Sequence, residues 1–484
     1  MANLNNKIAK ATKWSSITEI IAKLVTPITS IILARLLTPE AFGVVTTLTM
    51  VISFAEIFTD AGFQKYLIQH EFKDETDKIQ STNVAFWSNL VMSLLFWFLI
   101  SVFSEPLATL VGNPGLGNVL AIACVSIPLA AFSSIQMALY KRDLDFKTLF
   151  KVRVVSVLVP FLITIPLAFW FRNYWALILG TISTNLINAV LLTIYSKWKP
   201  SFYYSYSKFK EMFSFTIWSM FEAISIWLTS YVDVFIIGVY LTQHYLGLYK
   251  TSMVVVGQIM GLITAATTPV LFSSLSRLQS DEKEFNNIYF KFQKFVGLLV
   301  IPIGVGIYCF SDFITEILLG SQWLETSKFI GLWGLTSALT IVLSHYSSEV
   351  YRSKGKPKLS VLSQWLHIIV LWPTVLISIK YGYEVLYISR SFVRFEGIMV
   401  NLLLMYYLFQ ISPLRMLKNL KSPLIASLIM GFTAITLLSY NDSILGNILF
   451  IFICIILYFL IICMFKEERL LVMSFYKKIL KKKA

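Results

Sequence analysis

The stretch "NILFIFICIILYFLIICMF" (residues 447–465) decides the fold class. It carries no charge and does not alternate in polarity. As a helix rising about 1.5 Å per residue it crosses the roughly 30 Å hydrocarbon core of a bilayer. A transmembrane β-strand would need only about 10 residues, with every second one polar. Runs of comparable length recur along the chain. Of its 484 residues, 57% are hydrophobic and 14% charged, and the mean hydropathy is +0.72. A soluble chain has about 45–50% apolar and about 25% charged residues, so the composition indicates an all-α polytopic membrane protein.

The apolar runs predict fourteen spans, near 14–35, 42–69, 83–103, 117–140, 151–171, 174–195, 211–238, 247–272, 295–314, 328–350, 360–379, 384–409, 422–440 and 445–465. Loop charge tests this map. With the N-terminus in the cytoplasm, the inner loops include "KDETDK" (73–78), "YKRDLDFK" (140–147), "SRLQSDEKEF" (276–285) and "YRSKGKPK" (351–358), and the tail ends "KKILKKKA". The outer loops "SEPLATLVGNPGLG" (104–117), "YLTQHYLG" (240–247) and "SYNDSILGN" (439–447) hold no Lys or Arg. Outer positions keep only Arg35, Arg172, Lys328 and Lys380. This positive-inside asymmetry places both termini in the cytoplasm. The polar start with Lys7, Lys10 and Lys13 does not read as a cleavable signal peptide, and no loop is long enough to fold as a catalytic domain.

Several function classes drop out. The formal net charge of +15 is divided among short loops and a tail, so no basic domain exists for nucleic acid. Cys124, Cys309, Cys454 and Cys463 lie in or beside apolar runs and suit packing. The four histidines make no metal-ligand spacing, and no phosphate-binding glycine loop appears. No cofactor is expected.

The chain also repeats itself. "LLTPEAFGVV" (36–45) returns 204 residues later as "YLTQHYLGLY" (240–249). Extended without gaps, 14–51 pairs with 218–255 and nine of 38 positions are identical, among them Trp14/Trp218, Ser15/Ser219, Leu37/Leu241, Thr38/Thr242 and Gly43/Gly247. Six spans separate the copies, so both run in the same direction. Parallel repeats of this kind are a transporter architecture. The expected domains are an N-terminal lobe of spans 1–6 (residues 1–200), a C-terminal lobe of spans 7–12 (201–410), and spans 13–14 with the basic tail (411–484). These two pseudo-symmetric six-helix lobes would surround a central cavity, with the last two helices outside the repeat. The corner itself reads as a marker of the axis that binds nothing.

Ionisable residues inside spans cost roughly 2.5–3.5 kcal/mol each at a helix centre and normally face a partner or a cavity. They are Glu19 and Lys23 in span 1, Glu56 and Asp60 in span 2, Glu222 and Asp233 in span 7, Lys250 at the start of span 8, and Arg390 and Arg394 in span 12. Glu19–Lys23, Glu56–Asp60 and Arg390–Arg394 are i, i+4 pairs, each on one helix face. Glu19, Glu222 and Asp233 read as structural charge partners. The two arginines on one face call for acidic neighbours or an anionic ligand, and at 100° per residue Glu396 points away from both.

These residues resemble a known family. "ILARLLTPEAFGVV", followed by "FTDAGFQKYLIQ" (58–69), is similar to the start of Wzx-type polysaccharide flippases, in the superfamily that includes multidrug/toxin extrusion transporters and lipid II flippases. "MALYKRDLDFKTL" (137–149), "PVLFSSLSRLQSDEKEF" (269–285) and "LLGSQW" (318–323) resemble later segments. The resemblance covers most of the first 350 residues and weakens through spans 11–14. It implies a bacterial inner-membrane flippase for an undecaprenyl-diphosphate-linked oligosaccharide, acting by alternating access as a monomer. Its partners would be that substrate, the bilayer and other polysaccharide-assembly membrane proteins. Basic residues would receive the diphosphate, with Lys23, Lys250, Arg390 and Arg394 as candidates. Moving a dianion outward from a cell negative inside is downhill by about 2.3 kcal/mol per charge per 100 mV, so ion coupling is not demanded. If a proton or Na⁺ is coupled, Glu56 and Asp60 are the first candidates. A cation-coupled drug antiporter of the same superfamily is the alternative.

Overall fold

The computed structural model describes residues 2–60, 62–440 and 443–469. Of the side chains at 2–9, 12, 60, 215, 216, 218, 219 and 222 nothing is stated. Among the described residues there is helix and loop but no strand. In hydrocarbon no water satisfies the backbone, so each spanning segment must close its own hydrogen bonds.

Fourteen helical stretches are long and apolar enough to cross a membrane. Spans 1–7 are Lys13–Leu36, Pro39–Thr59, Glu75–Val102, Gly117–Arg142, Phe146–Phe171, Trp175–Tyr195 and Ala223–Tyr240. Spans 8–14 are Gln243–Ser276, Glu282–Cys309, Ser321–Ser353, Lys358–Tyr381, Tyr383–Phe409, Lys421–Leu438 and Ile444–Met464. The number expected from the apolar runs is thus found. Two expected spans join what are separate helices. The expected second span ran on to 69, but its helix ends at Asp60 and a separate helix, Phe63–Gln69, begins after Gly62. The expected ninth span ran to 314, but the helix stops at Cys309 and Ser311–Leu318 forms another.

The acidic residues of the basic loops start the next helices. Asp74 accepts from the Asp77 amide at 2.7 Å, Asp145 from the Thr148 amide at 3.1 Å, and Asp281 from the Glu284 amide at 3.0 Å. Each satisfies an amide that the first helical turn leaves open. Two π-helical turns, Pro160–Thr164 in span 5 and Ile341–His345 in span 10, widen their helices locally.

The chain divides into two compact units, Met1–Lys250 and Thr251–Ala484. The first has one buried core around Leu48, Leu120, Cys124 and Ile127 and another around Phe63, Phe86, Ile135 and Met212. Arg142, from "YKRDLDF", joins two segments that carry the resemblance. Its Nη1 donates to the carbonyls of Leu67 at 2.7 Å and His70 at 2.8 Å, and its guanidinium lies 4.5 Å from the Phe72 ring centroid. A cation thus closes the carbonyl end of the Phe63–Gln69 helix, where the helix dipole favours it.

The second unit has a buried core of Ala426, Met430, Phe450, Cys454 and Tyr458 linking spans 13 and 14. A polar clamp ties them to span 9. Lys294 Nζ lies 2.7 Å from Glu467 and 2.8 Å from Glu468, while Ser422 donates to the buried Glu468. Burial pushes the Glu468 carboxyl up, but Lys294 and Ser422 outweigh it and hold it below the ordinary glutamate range. The four cysteines are free.

Candidate functional site

Two polar clusters lie inside the spans, one in each unit. In the first unit, span 2, the Phe63–Gln69 helix, span 4 and span 6 line an open cavity of about 450 Å³. Glu56, Thr59, Gln64, Ser133, Ser134, Asn185 and Asn188 line it. Thr59 donates its proton to the Glu56 carbonyl at 3.3 Å, Ser133 to Ala130 at 3.0 Å and Ser134 to Ala131 at 3.1 Å. A hydroxyl whose proton is committed to its own helix offers the cavity only lone pairs. The Glu56 carboxylate adds to these acceptors. Asn188 Oδ1 already accepts from Ser156, which leaves its amide protons for a ligand hydroxyl or carboxylate. The wall is therefore rich in oxygen acceptors, the donor set of a proton or a small hard cation. Among the described residues no group of three His, Cys, Asp or Glu side chains could hold a metal ion. Asp60, proposed beside Glu56, has its side chain outside the described residues.

In the second unit spans 10 and 12 meet at Trp333. The Arg394 guanidinium carbon lies 3.5 Å and that of Arg390 5.0 Å from its ring centroid. Arg394 Nη1 also donates to Ser337 Oγ at 2.5 Å. Arg390 is buried. Span 12 breaks between them: one helix ends at Phe392, Val393 intervenes, and the next begins at Arg394. Both side chains still reach one ring, as the i, i+4 spacing requires. Each cation–π contact contributes about 0.5–1 kcal/mol exposed and about 2 kcal/mol or more when desolvated. Glu396 pairs with His367 Nδ1 at 2.9 Å instead. Asn401 completes the layer, donating to Ser344 and Ser363 at 2.9 Å each and accepting from Tyr351 at 2.8 Å. Ser344 belongs to the π-helical turn, so the widened helix faces the arginine-bearing span.

The remaining candidates do not join these clusters. Lys250, on span 8, lies against span 7, 5.0 Å from the Tyr231 ring centroid. Asp233 is buried and accepts from the Tyr249 hydroxyl at 2.7 Å and the Val234 amide at 2.8 Å. Glu19 is exposed and Lys23 half-buried; no ion pair joins them among the described residues. The Glu222 side chain lies outside the described residues. Sequence reasoning missed Trp333 and His367. The two cationic side chains one turn apart were the signal, since a desolvated guanidinium pair needs an aromatic face or an anion.

The solved structure titled "Lipid II flippase MurJ, inward closed conformation" superposes with a TM-score of 0.74 at 18% identity, covering 94% of this chain and 99% of that one. An inward-facing multidrug resistance MATE family transporter of the MOP superfamily reaches 0.58 at 13% identity, over 85% of this chain and 99% of that one. The fold is that of these transporters. Among curated proteins, the succinoglycan biosynthesis transport protein ExoT of Rhizobium meliloti (strain 1021) is 25% identical over 69% of this chain and 66% of its own length. The lipopolysaccharide biosynthesis protein WzxC of Escherichia coli (strain K12) is 20% identical over 66% of this chain and 65% of its own length. Both matches span just under two thirds of the relative. A family model described as "Polysaccharide biosynthesis protein" matches residues 32–328, more than half of the chain. The chain belongs to this polysaccharide biosynthesis family.

Proposed function

We propose that the protein is a flippase. It moves an undecaprenyl-diphosphate-linked oligosaccharide repeat unit from the cytoplasmic to the outer leaflet of the bacterial inner membrane, for O-antigen, capsule or exopolysaccharide assembly. The membership just reported, the transport name of ExoT and the lipopolysaccharide biosynthesis name of WzxC support this reading. In it, spans 1–6 (1–200) and 7–12 (201–410) are lobes that open alternately to each side. Spans 13–14 (411–484) flank them, and both termini are cytoplasmic.

The observation that carries the chemistry is the arginine pair on Trp333. A diphosphate with a hydroxylated headgroup cannot enter hydrocarbon unassisted. Two guanidiniums held rigidly by one ring offer it charge-assisted hydrogen bonds within a single turn of helix. Lys23 and Lys250 are the other basic candidates of this reading, and the lipid tail stays in the bilayer. Glu56, with Asp60, is the site for a coupled proton or Na⁺. The acceptor-rich cavity around Glu56 also favours a second reading, a cation-coupled drug antiporter.

Reconstituted protein supplied with labelled lipid-linked oligosaccharide distinguishes these. Arg390→Ala and Arg394→Ala each remove about 1.5–3 kcal/mol of charged hydrogen bonding, so flipping falls by roughly ten- to a hundredfold. Equal rates in wild type and both variants, together with efflux of cationic dyes, would overturn the flippase reading in favour of the antiporter.

A further inference from the structure

The two copies of the repeated corner touch each other. A Cβ built on Gly43 would lie 1.9 Å from the Gln243 carbonyl oxygen, and one on Gly247 would lie 1.8 Å from the Pro39 carbonyl oxygen. Pro39 and Gln243 hold the same place in the two copies, four residues before each glycine. Each corner therefore lays its glycine on the first-turn carbonyl of the other. Glu40 and His244, also equivalent at the offset of 204 residues, meet at 2.6 Å between Oε1 and Nδ1. Equivalent residues in direct contact mark a local two-fold axis passing between them.

The contact continues into the loop after span 3. A Cβ on Gly112 would sit 1.6 Å from the Gly238 carbonyl oxygen, and Gln243 Nε2 donates to the Gly112 carbonyl at 2.7 Å. The span 7–span 8 hairpin is thus seated on the corners of the first four spans, backbone against backbone. No side chain larger than hydrogen fits at Gly43 or Gly247 while the seat is closed.

We infer that this pair of corners is the outer latch of the transporter: a seam closed while the substrate path faces inward, which must part for release at the outer face. The inference rests on the alternating-access reading and on the outward placement of the Lys- and Arg-free loops. The chemistry suits a latch. Cα–H···O contacts contribute about 0.5–1 kcal/mol each, so a few of them with one exposed carboxylate–imidazole contact make a seam that closes in one register and still separates. The end of the same hairpin that the loop charges place inside is held differently, by polar side chains. Tyr66 donates to Glu211 at 2.9 Å, Lys208 pairs with Asp77, and Asn83 donates to Ser201 at 2.8 Å. Shape sets the outer end, and side-chain chemistry sets the inner end.

Two measurements test this in intact vesicles, with Cys309 and Cys463 replaced by serine. First, Glu40→Cys/His244→Cys protein is bridged with a short, cleavable bifunctional thiol reagent. Flipping should stop on bridging and return on reduction; flipping at an undiminished rate in bridged protein overturns the latch. Second, Pro39→Cys, at the seam and buried while it is closed, is labelled from outside with an impermeant maleimide, alone and combined with Gly43→Ala, Gly247→Ala or Gly257→Ala. Nothing lies within 4 Å of a Cβ at Gly257, so that variant is the matched helical control. Gly43→Ala and Gly247→Ala hold the seam open and should raise labelling by about threefold or more, with Gly257→Ala unchanged. Equal labelling in all of them, or labelling only from the cytoplasmic side, overturns the proposal. If Gly43→Ala fails to fold, Gly247→Ala and the bridged pair still decide. Labelling needs no substrate, so a responsive latch in a protein that moves no lipid-linked oligosaccharide would count against the flippase reading alone.

Discussion

Replacing Lys294 with methionine strands a buried charge, and the consequence can be followed closely. Lys294 sits between Glu467, which is 82% exposed, and Glu468, which is 5% exposed at its side chain. The exposed pairing contributes about 0–1 kcal/mol. The buried one matters more, because breaking such a pair costs about 3–5 kcal/mol through the uncompensated charge. A ceiling exists at pH 7. The stranded carboxyl can escape by taking a proton, at about 1.4 kcal/mol for each pH unit above an ordinary glutamate pKa, which sets the limit near roughly 4 kcal/mol. Thermal unfolding of purified protein in detergent, followed by labelling of the buried cysteines, reads this as a drop of several degrees. Adding Glu468→Gln to Lys294→Met removes the stranded charge and recovers most of the loss. The sign of the pH response also inverts. In wild type the Glu468 carboxyl is held low, so its stabilisation is full above the ordinary glutamate pKa and is lost as pH falls through the folded value. In Lys294→Met burial, the largest influence on this carboxyl, is opposed only by Ser422 and a backbone amide; the pKa then rises, so lowering the pH from 7 toward 5 stabilises the protein. Equal unfolding temperatures for the single and double variants, or an uninverted pH response, would refute the reasoning.

Two further outcomes follow from the first unit. Arg142→Met withdraws the donor shared by Leu67 and His70, costs about 2–3 kcal/mol, and should speed trypsin cleavage at the exposed Lys73; unchanged cleavage argues against the cap. Glu56→Gln with Asp60→Asn should leave potential-driven export running but insensitive to proton and Na⁺ gradients, measured in vesicles with each gradient imposed separately. Retained sensitivity removes the cavity from coupling.

The fourteen spans were legible because hydrocarbon leaves the chain a single solution, and apolar length records it directly. What the sequence hid was of two kinds. Boundaries inside continuous apolar stretches were invisible: "TDAGF" reads as part of a run to 69, yet the helix stops at Asp60 and restarts past Gly62. Partners distant in sequence were invisible too. Helical geometry correctly turned Glu396 away from Arg390 and Arg394, but nothing along the chain names His367, 29 residues earlier, as its partner, or Trp333 as the ring beneath both arginines. Arg142 was read as one positive charge among many in an inner loop. Only the neighbouring Asp145 cap, which begins the next helix, hints that "YKRDLDF" is a built corner. The repeated corner shows in the sequence only as a recurrence and reads as inert, because a backbone contact leaves no side-chain signature.

That backbone contact also bears on how the two halves can diverge. A joint made by side chains ties two positions together, so that a change in one is answered by a change in the other. Here Gly43 meets a peptide carbonyl, and every residue type at 243 carries the same carbonyl. At these two backbone contacts the facing positions can drift independently and the constraint falls on the glycines, whereas Glu40 with His244 and Gln243 with Gly112 involve side chains. Two copies of a repeat joined this way can lose nearly all visible likeness and still fit together. Nine shared positions in 38 is then a natural remnant, and chimaeras that exchange one half between distant relatives should still close at this joint while both glycines remain.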